Sequence, residues 1–227
     1  MRAITAFLAR NKGFFTFMLC MIVFRSAVAD WNVVPTGSMQ PTIRIGDRIF
    51  VDKAAYDVRL PFTHVSLLHL ADPQRGDIVV LDSAAAHERL VKRVIGLPGD
   101  QVAMRDNRLY INGQRAEYTD TTETGIHDDQ LGAARYVIEN YGAMRHRVRL
   151  SLDRPSPARS FGPIKVPEAQ YLMLGDNRDN SEDSRYLGFF PRREIIGRTR
   201  YVAVSLDPEN HYLPRAHRFG APLDSAH

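Results

Sequence analysis

Short runs of β-branched and other apolar residues, separated by glycine, proline and aspartate, dominate the chain beyond residue 30. The clearest of them are residues 48–52, 77–81, 89–95, 101–104 and 108–111. Each has the length and the apolar pattern of a sheet strand. Asp106 and Asn107 lie between the last two runs and indicate a hairpin turn, and a second hairpin is predicted around Gly142. No long amphipathic helix competes, so the chain is predicted to be mostly β.

The N-terminal segment is the exception to this pattern. Residues 1–12 carry three basic side chains, and residues 13–24 are almost wholly apolar. Small residues follow, with Ala27 and Ala29 in an Ala-x-Ala arrangement. A charged region, a short apolar region and a small-residue cleavage site are typical of a secretory signal peptide. Composition alone slightly favours this interpretation.

The same segment also fits a single membrane anchor. An anchor over about residues 13–29 lies at the short end of the roughly 17 to 25 residues that span a bilayer, and Arg25 must then reach toward the interface. Both interpretations give one topology, because the basic residues precede the apolar run and keep the N-terminus cytoplasmic. The chain after Asp30 is therefore predicted to be exported.

Charge and cysteine content exclude several classes of function. The chain of 227 residues carries 30 basic and 26 acidic side chains without a long run of one sign, so nucleic acid is not predicted as a partner. The one cysteine, Cys20, lies in the apolar N-terminal segment and leaves no disulfide framework for an exported domain. The eight histidines form no pair with ligand spacing. No metal and no cofactor are predicted.

Two short runs carry a candidate catalytic pair. The run PTGSMQPT contains Ser38, and the later run RLVKR contains Lys92. A serine hydroxyl needs a base, and no histidine lies in a motif that would supply one. A lysine can take this role when burial among apolar groups lowers its pKa. On a strand, Leu90, Lys92 and Val94 share one face, which places the amine among aliphatic side chains.

A third run, GDNRDNSEDSR at residues 175–185, follows an apolar strand at residues 170–174. It fits a solvated loop whose surface salt bridges contribute little. It fits equally a loop whose buried Asp–Arg pairs shape a site and present Ser181 to a lysine amine. The residues alone leave both interpretations open.

In order and spacing, these runs resemble the sequence boxes of bacterial type I signal peptidases, the membrane-bound Ser/Lys endopeptidases that remove signal peptides from exported proteins. The resemblance covers most of residues 25–206, and it includes a fourth run, RGDIVV, between the first two, and the extension of the lysine run to KRVIGLPGD. It implies a β-rich catalytic core of the signal-peptidase type, with an N-terminal transmembrane anchor and an inserted smaller β-subdomain.

Five segments follow from the strand pattern and this resemblance. Residues 1–30 are predicted to be a cytoplasmic N-terminus and a single transmembrane anchor. The catalytic core is predicted to comprise residues 31–100 and 164–206, separated by an inserted β-subdomain at residues 101–163. The tail, residues 207–227, has no periodicity and is predicted to be loose.

The resemblance also implies roles for four residues at the reaction centre. Ser38 corresponds to the nucleophile and Lys92 to the general base, and Ser181 corresponds to a residue that hydrogen-bonds and orients the lysine. The oxyanion hole is expected to combine the backbone N–H of Ser38 with the hydroxyl of Thr36, where many relatives have serine.

Two further groups of residues match supporting positions of the family. Ion pairs are implied between Asp176 and Arg93 and between Asp183 and Arg185. A shallow aliphatic pocket that accepts alanine and excludes larger side chains is implied by a second group. Its matching positions are Val34, Met39, Ile43 and Val91.

By this resemblance the chain is a serine endopeptidase that cleaves exported preproteins after Ala-x-Ala. Its expected partners are signal peptides, membrane lipid and the protein-export machinery. Its expected place is the bacterial cytoplasmic (inner) membrane, crossed once, with the N-terminus cytoplasmic and the catalytic domain on the periplasmic face. Because signal peptides lie in the membrane, we expect the anchor to be retained rather than cleaved after Ala29.

Three alternatives are distinguishable. A maturation peptidase for conjugative pili, of the same family, would differ in substrate range. The self-cleaving repressor type of Ser/Lys peptidase has a related β core, but it requires a DNA-binding N-terminal domain and no membrane segment. A secreted β-rich binding protein without enzymatic activity would tolerate replacement of Ser38 or Lys92.

Overall fold

A computed structural model describes residues 10–63, 65–121, 126–128 and 132–223. The helix α1 (Lys12–Ala27) comprises 16 residues, and the chain that follows is mostly β. Within the described residues, no helix has the length and apolar character needed to cross a membrane. The apolar run stops being helical at Ala27, and the first strand begins at Ala29.

The largest sheet holds both parts of the chain that the sequence assigns to the catalytic core. Its strands pair antiparallel throughout. In order across the sheet they are β1 (Ala29–Val33), β2 (Asp47–Asp52), β17 (Ile195–Asp207), β5 (Ile78–Ser83), β6 (Glu88–Gly96), β15 (Gln170–Leu174) and β16 (Phe190–Pro191), with β18 (Leu213–Pro214) paired to β17.

Two four-stranded sheets are built from the segment between β6 and β15. One has the order β14 (Phe161–Lys165), β7 (Gln101–Arg105), β8 (Arg108–Ile111) and β9 (Gln114–Arg115). In the other, β12 (Gly132–Tyr141) lies between β10 (Glu117–Asp120) and β11 (Ile126–Asp128) and also pairs with β13 (Met144–Ser151). The turn between β7 and β8 is the predicted one, and Asp106 and Asn107 both have positive φ, of 47° and 58°.

Smaller elements complete the described chain. A two-stranded hairpin consists of β3 (Asp57–Arg59) and β4 (Ser66–His69), and one further α-helical turn, α2, spans Ser184–Leu187. Three 3-10 turns lie at Lys53–Ala55, Arg192–Glu194 and Ala216–Arg218.

The central strand β5 explains where the core lies. Its alternate residues face opposite sides of the sheet, and both sides are covered. Ile78 and Val80 pack in one buried cluster, whereas Val79 and Leu81 pack in another. Lys92 lies on the neighbouring strand β6, so its position is set by a strand that is itself held in the core.

The segment after β17 packs on this core. The sequence predicts a loose tail from residue 207, but Leu223 is buried in the same cluster as Ile78. Arg218 Nη2 lies 2.6 Å from Asp47 Oδ2, and Asp47 is fully buried. A buried carboxylate without a partner is strongly unfavourable, so this ion pair gives the tail a fixed place.

Candidate active site

Ser38 and Lys92 lie in contact beside the largest sheet. Ser38 lies in the turn region after β1, and Lys92 lies in the middle of β6. Lys92 Nζ is 2.9 Å from Ser38 Oγ. The lysine is only 3% exposed, and Leu90 and Val94, two residues away on either side along the strand, are buried as well. A nucleophile and a base within hydrogen-bonding distance can activate a hydroxyl.

The surroundings of Lys92 favour its neutral form. Burial is the largest influence on the pKa of Lys92 and lowers it, because an ammonium loses its hydration there. The charges of Asp183, Glu88 and Glu182 act in the opposite direction, and Arg185 acts with burial. The net result is a pKa below the ordinary value of a lysine. A neutral amine at this place can accept a proton from the serine.

The groups expected to bind an oxyanion lie beside the nucleophile. Thr36 Oγ1 is 3.5 Å from Ser38 Oγ, and both residues line a cleft of about 480 Å³. Within the described chain, the backbone N–H of Ser38 donates no hydrogen bond. This N–H has no acceptor among the described residues, and it and the Thr36 hydroxyl can both donate to a negative charge that develops next to Ser38.

The turn that carries Ser38 is held by a residue that sequence analysis did not single out. Asn177 N–H donates to the carbonyl of Ser38 at 3.0 Å, and Asn177 Nδ2 donates to the carbonyl of Gly37, also at 3.0 Å. Asn177 is fully buried. It lies in the GDNRDNSEDSR run, so only its membership of that run could have drawn attention to it.

Asp176 and Arg93 form a buried bidentate pair behind this turn. Arg93 Nε and Nη2 lie 2.8 and 2.7 Å from the two carboxylate oxygens of Asp176, and Thr42 Oγ1 also donates to this carboxylate. Burial by itself would raise the pKa of Asp176, but the adjacent Arg93 outweighs it and the pKa is lowered. The carboxylate therefore stays charged and keeps Arg93 in place.

Asp183 and Arg185 form a second buried pair on the other side of Ser181. Arg185 Nε and Nη2 each lie 2.8 Å from an oxygen of Asp183. Asp183 also accepts from the backbone N–H of Gly175 at 3.0 Å and caps the helical turn α2. Burial alone would raise the pKa of Asp183, but the hydrogen bonds and charge of Arg185 lower it.

Ser181 lies in the wall of the same cleft as Lys92. Its side chain is buried, and its hydroxyl acts on the carboxylate of Asp183, whose pKa it helps to lower. The structure thus brings Ser181 and Lys92 to one cleft without the predicted hydrogen bond between them.

The hairpin β12–β13 contributes a buried charged cluster that sequence analysis missed. Glu139 on β12 lies 2.6 and 2.8 Å from the guanidinium of Arg178, and both side chains are fully buried. His146 on β13 lies 3.5 Å from Glu139 and 3.6 Å from Asp176. Burial lowers the pKa of His146 to about 4, so the ring is neutral at pH 7. No sequence motif marks this cluster, because its members are far apart in the chain.

The four aliphatic residues assigned to a substrate pocket are not among the described residues that line the cleft. Val34, Met39 and Ile43 are buried in one core cluster, and Val91 packs against it. The aliphatic residue in the cleft lining is Leu90, which shares a strand face with Lys92.

The family model "Signal peptidase, peptidase S26" matches residues 8–204. A signal peptidase I of Pseudomonas fluorescens is 38% identical over 223 residues, which covers 92% of this chain and 77% of that protein. A signal peptidase I of Pseudomonas aeruginosa is 38% identical over 226 residues, with the same coverage of 92% and 77%.

A solved structure was also found. The crystal structure of a signal peptidase I from Enterococcus faecalis V583 is 32% identical to this chain and has a TM-score of 0.35, with coverage of 57% of this chain and 97% of that one.

Proposed function

Because the chain belongs to the peptidase S26 family of signal peptidases, we infer that it is a serine peptidase that removes signal peptides from exported preproteins. We further propose that Ser38 is its nucleophile and Lys92 its general base. The observation that carries this assignment is the 2.9 Å contact between Ser38 Oγ and the amine of a buried lysine. The contact joins the two residue types that a Ser/Lys peptidase requires.

The proposed reaction is acyl transfer through an ester on Ser38. Neutral Lys92 takes the serine proton as Oγ attacks the carbonyl carbon of the scissile bond. The negative charge on the carbonyl oxygen is stabilised by the Ser38 N–H and the Thr36 hydroxyl. Protonated Lys92 then gives its proton to the leaving amine as the C–N bond breaks. Water, deprotonated by the same lysine, releases the new C-terminus and restores the serine.

The residues around the pair are proposed to position it. The charged pairs Asp176–Arg93 and Asp183–Arg185 fix the two ends of the segment that contains Ser181. We propose that the buried Ser181 hydroxyl turns to the Lys92 amine when substrate binds.

Substrate choice is proposed to depend on the depth of the cleft. Val34, Met39 and Ile43 are buried in one core cluster, Val91 packs against it, and Met39 directly follows Ser38 in the chain. We propose that this cluster limits how deep a side chain can enter beside Ser38, so that alanine is accepted and larger side chains are excluded. Each methylene changes discrimination by about 1 to 3 kcal/mol, and such a limit would produce a preference for Ala-x-Ala sites.

The N-terminal part is proposed to hold the enzyme at the bacterial inner membrane, with residues 1–30 as cytoplasmic N-terminus and anchor and the rest on the periplasmic face. Large apolar side chains along α1 are exposed, among them Phe14, Phe17 and Leu19. Exposed apolar surface of this extent is typical of contact with lipid. Ala29 is paired with Asp52 in the sheet, which supports retention of the anchor because a strand in a sheet is a poor peptidase substrate.

The assignment is tested with Ser38→Ala and Lys92→Ala variants purified in detergent and given a preprotein with an Ala-x-Ala site. Both variants are expected to lose cleavage while keeping the circular dichroism of the wild type. The wild-type rate is expected to rise with pH as Lys92 loses its proton, with a midpoint below the ordinary pKa of lysine.

A matched control is Lys165→Ala, which removes an exposed lysine on β14 and is expected to retain activity. Cleavage by both dyad variants at the wild-type rate would show that the Ser38–Lys92 pair is not the catalytic site.

A further inference from the structure

The rim of the cleft that contains Ser38 and Lys92 is acidic. Three carboxylates line it, those of Glu88, Asp179 and Glu182, and Lys92 is the one basic side chain among its described lining residues. If Lys92 is neutral, as the reaction requires, the cleft has a negative net charge. Such a cleft attracts cationic groups and repels anionic ones.

The carboxylate of Asp179 already accepts hydrogen bonds from other groups of the protein. It accepts hydrogen bonds from the backbone N–H of Ser151 at 2.9 Å, from the backbone N–H of Ser156 at 2.8 Å, and from Asn107 Nδ2 at 2.9 Å. Asp179 therefore shapes the wall of the cleft and is not free to bind a substrate cation.

Glu88 and Glu182 are free. Both are exposed, and neither carboxylate has a hydrogen bond or an ion pair with any described residue. Both nevertheless act on Lys92, since their charges stabilise its protonated form. They come from different elements, Glu88 from the start of β6 and Glu182 from the segment next to Ser181, and they meet at one cleft.

The cleft is also the place where the proposed reaction occurs. Ser38, Lys92 and Ser181 line it together with Glu88 and Glu182. A substrate that binds there for cleavage therefore passes these two carboxylates.

The spacing along β6 sets the distance at which a substrate side chain would meet Glu88. Glu88 and Lys92 are four residues apart, so they lie on one strand face and about 13 Å apart along it. A peptide that runs extended beside β6 advances by the same amount per residue. A side chain about four positions from the scissile bond therefore reaches Glu88, and Glu182 lines the same cleft.

We propose that Glu88 and Glu182 make the enzyme prefer preproteins that carry a lysine or arginine within about four residues of the scissile bond. This inference rests on the proposed function. Exposed ion pairs contribute little each, so a preference of roughly 5- to 10-fold in kcat/KM is expected at low ionic strength for lysine over glutamate. The preference should shrink at about 1 M salt, where such charges are screened.

The experiment uses the full chain in detergent and a set of preproteins that differ at one position. Each of the four residues on either side of the scissile bond is made lysine, glutamine or glutamate in turn, and kcat/KM is measured. At one or more positions the wild type is expected to rank lysine above glutamine above glutamate. The Glu88→Gln/Glu182→Gln variant is expected to bring these values within about twofold of each other. Glu168→Gln, which removes an exposed acid outside the cleft lining, is the matched control and should keep the wild-type ranking.

A second readout uses the pH profile with an uncharged substrate. The charged groups that influence Lys92 are Asp183, Glu88, Glu182 and Arg185. Removal of the two free carboxylates makes the protonated amine less stable, so the rising limb of the profile should move to lower pH.

Three results would contradict the inference. Equal kcat/KM for lysine, glutamine and glutamate at every position in the wild type would overturn it, and so would an unchanged ranking in the double variant; both would leave the proposed function intact. If the wild type cleaves none of the preproteins, the proposed function fails, and the charge preference fails with it.

Discussion

At the scale of single residues, Gly175 lies where the turn that carries Ser38 approaches the segment that contains Ser181. It precedes Asp176, and a Cβ atom added to it would overlap both Ser181 Oγ and the backbone carbonyl of Ser38. Both atoms belong to the site, and the carbonyl also accepts the hydrogen bond of Asn177. Because Gly175 has no side chain, the turn that carries Ser38 and the segment that contains Ser181 can lie against each other.

Gly175→Ala is therefore expected to lower kcat by about 100-fold or more. The added methyl group must push Ser38 or Ser181 away, and small displacements of reacting groups have effects of this order. Steady-state kinetics on an Ala-x-Ala preprotein measure the loss, and thermal unfolding shows whether the fold survives.

Gly162→Ala is the control for this change, since an added Cβ there meets no atom within 4 Å. It should leave kcat and the melting temperature unchanged. Wild-type kinetics in Gly175→Ala would show that the turn and the Ser181 segment can separate without loss of function.

The sequence predicted the chemistry of these residues better than their packing. Ser38 and Lys92 lie in motifs whose residue types indicate a nucleophile and a base, so their candidacy is visible without coordinates. The role of Asn177 depends on contacts with residues 140 positions away, which no local pattern encodes. For the same reason the sequence identified Ser181 as a candidate but could not predict which groups its hydroxyl contacts.

At the scale of elements, the hairpin β12–β13 reaches into the back of the site. Arg149 N–H on β13 donates to the carbonyl of Asp176, and Glu139 on β12 binds the guanidinium of Arg178. The segment that carries Asp176 and Arg178 is thus held from both sides, by the largest sheet through Arg93 and by this hairpin. The sheet that contains β12 and β13 therefore supports the segment with Asp176 and Arg178 as well as its own core.

Glu139→Ala is expected to lower the free energy of unfolding by about 3 to 5 kcal/mol, because it leaves the buried charge of Arg178 without its partner. A paired variant, Glu139→Leu/Arg178→Met, removes both charges and should recover most of the loss. Urea denaturation followed by circular dichroism measures both effects.

Glu117→Ala is the matched control, because Glu117 is exposed on the neighbouring strand β10. Its effect should stay within about 0.5 kcal/mol, as is usual for surface positions. If Glu139→Ala lowered the free energy of unfolding by less than 1 kcal/mol, the buried Glu139–Arg178 pair would not be what holds the hairpin against the segment with Asp176 and Arg178.

The strands show what an apolar pattern can and cannot predict. The mostly β fold is confirmed, and the strands predicted at residues 48–52 and 108–111 are found at Asp47–Asp52 and Arg108–Ile111. These strands have a buried face, so their residues alternate or are continuously apolar. All four residues of β4 are exposed. A strand without a buried face does not need apolar residues at alternate positions, so the sequence contains no pattern that would predict β4.

At the scale of the whole molecule, α1 and the β3–β4 hairpin meet at one end. The backbone N–H of Phe62, in the hairpin tip, donates to Ser26 Oγ at the end of α1 at 2.7 Å. Phe62 is 70% exposed, and further large apolar side chains of the hairpin are exposed around it. They are Leu60, Val65, Leu67, Leu68 and Leu70. Exposed apolar side chains therefore occur on both α1 and the hairpin, as the proposed contact with a membrane requires.

Trp31, the single tryptophan of the chain, lies where this surface meets the catalytic core. It is 50% exposed, and the guanidinium of Arg25 lies 4.8 Å from its ring centre. Tryptophan next to a basic side chain is typical of the lipid headgroup region. If α1 lies in the membrane as proposed, Trp31 lies at headgroup depth.

In proteoliposomes, Trp31 fluorescence is therefore expected to be quenched more by lipids brominated near the headgroup than by lipids brominated deep in the acyl chain. A control protein, Trp31→Phe with Ile164→Trp on β14, places the only tryptophan at another exposed apolar site and should show little quenching by either lipid. Strongest quenching by the deep probe would place Trp31 inside the bilayer, and absence of quenching would place it in water. Either result would contradict the proposed arrangement, in which the membrane surface runs along the end of α1 and keeps Ser38 close to the depth at which signal peptides emerge.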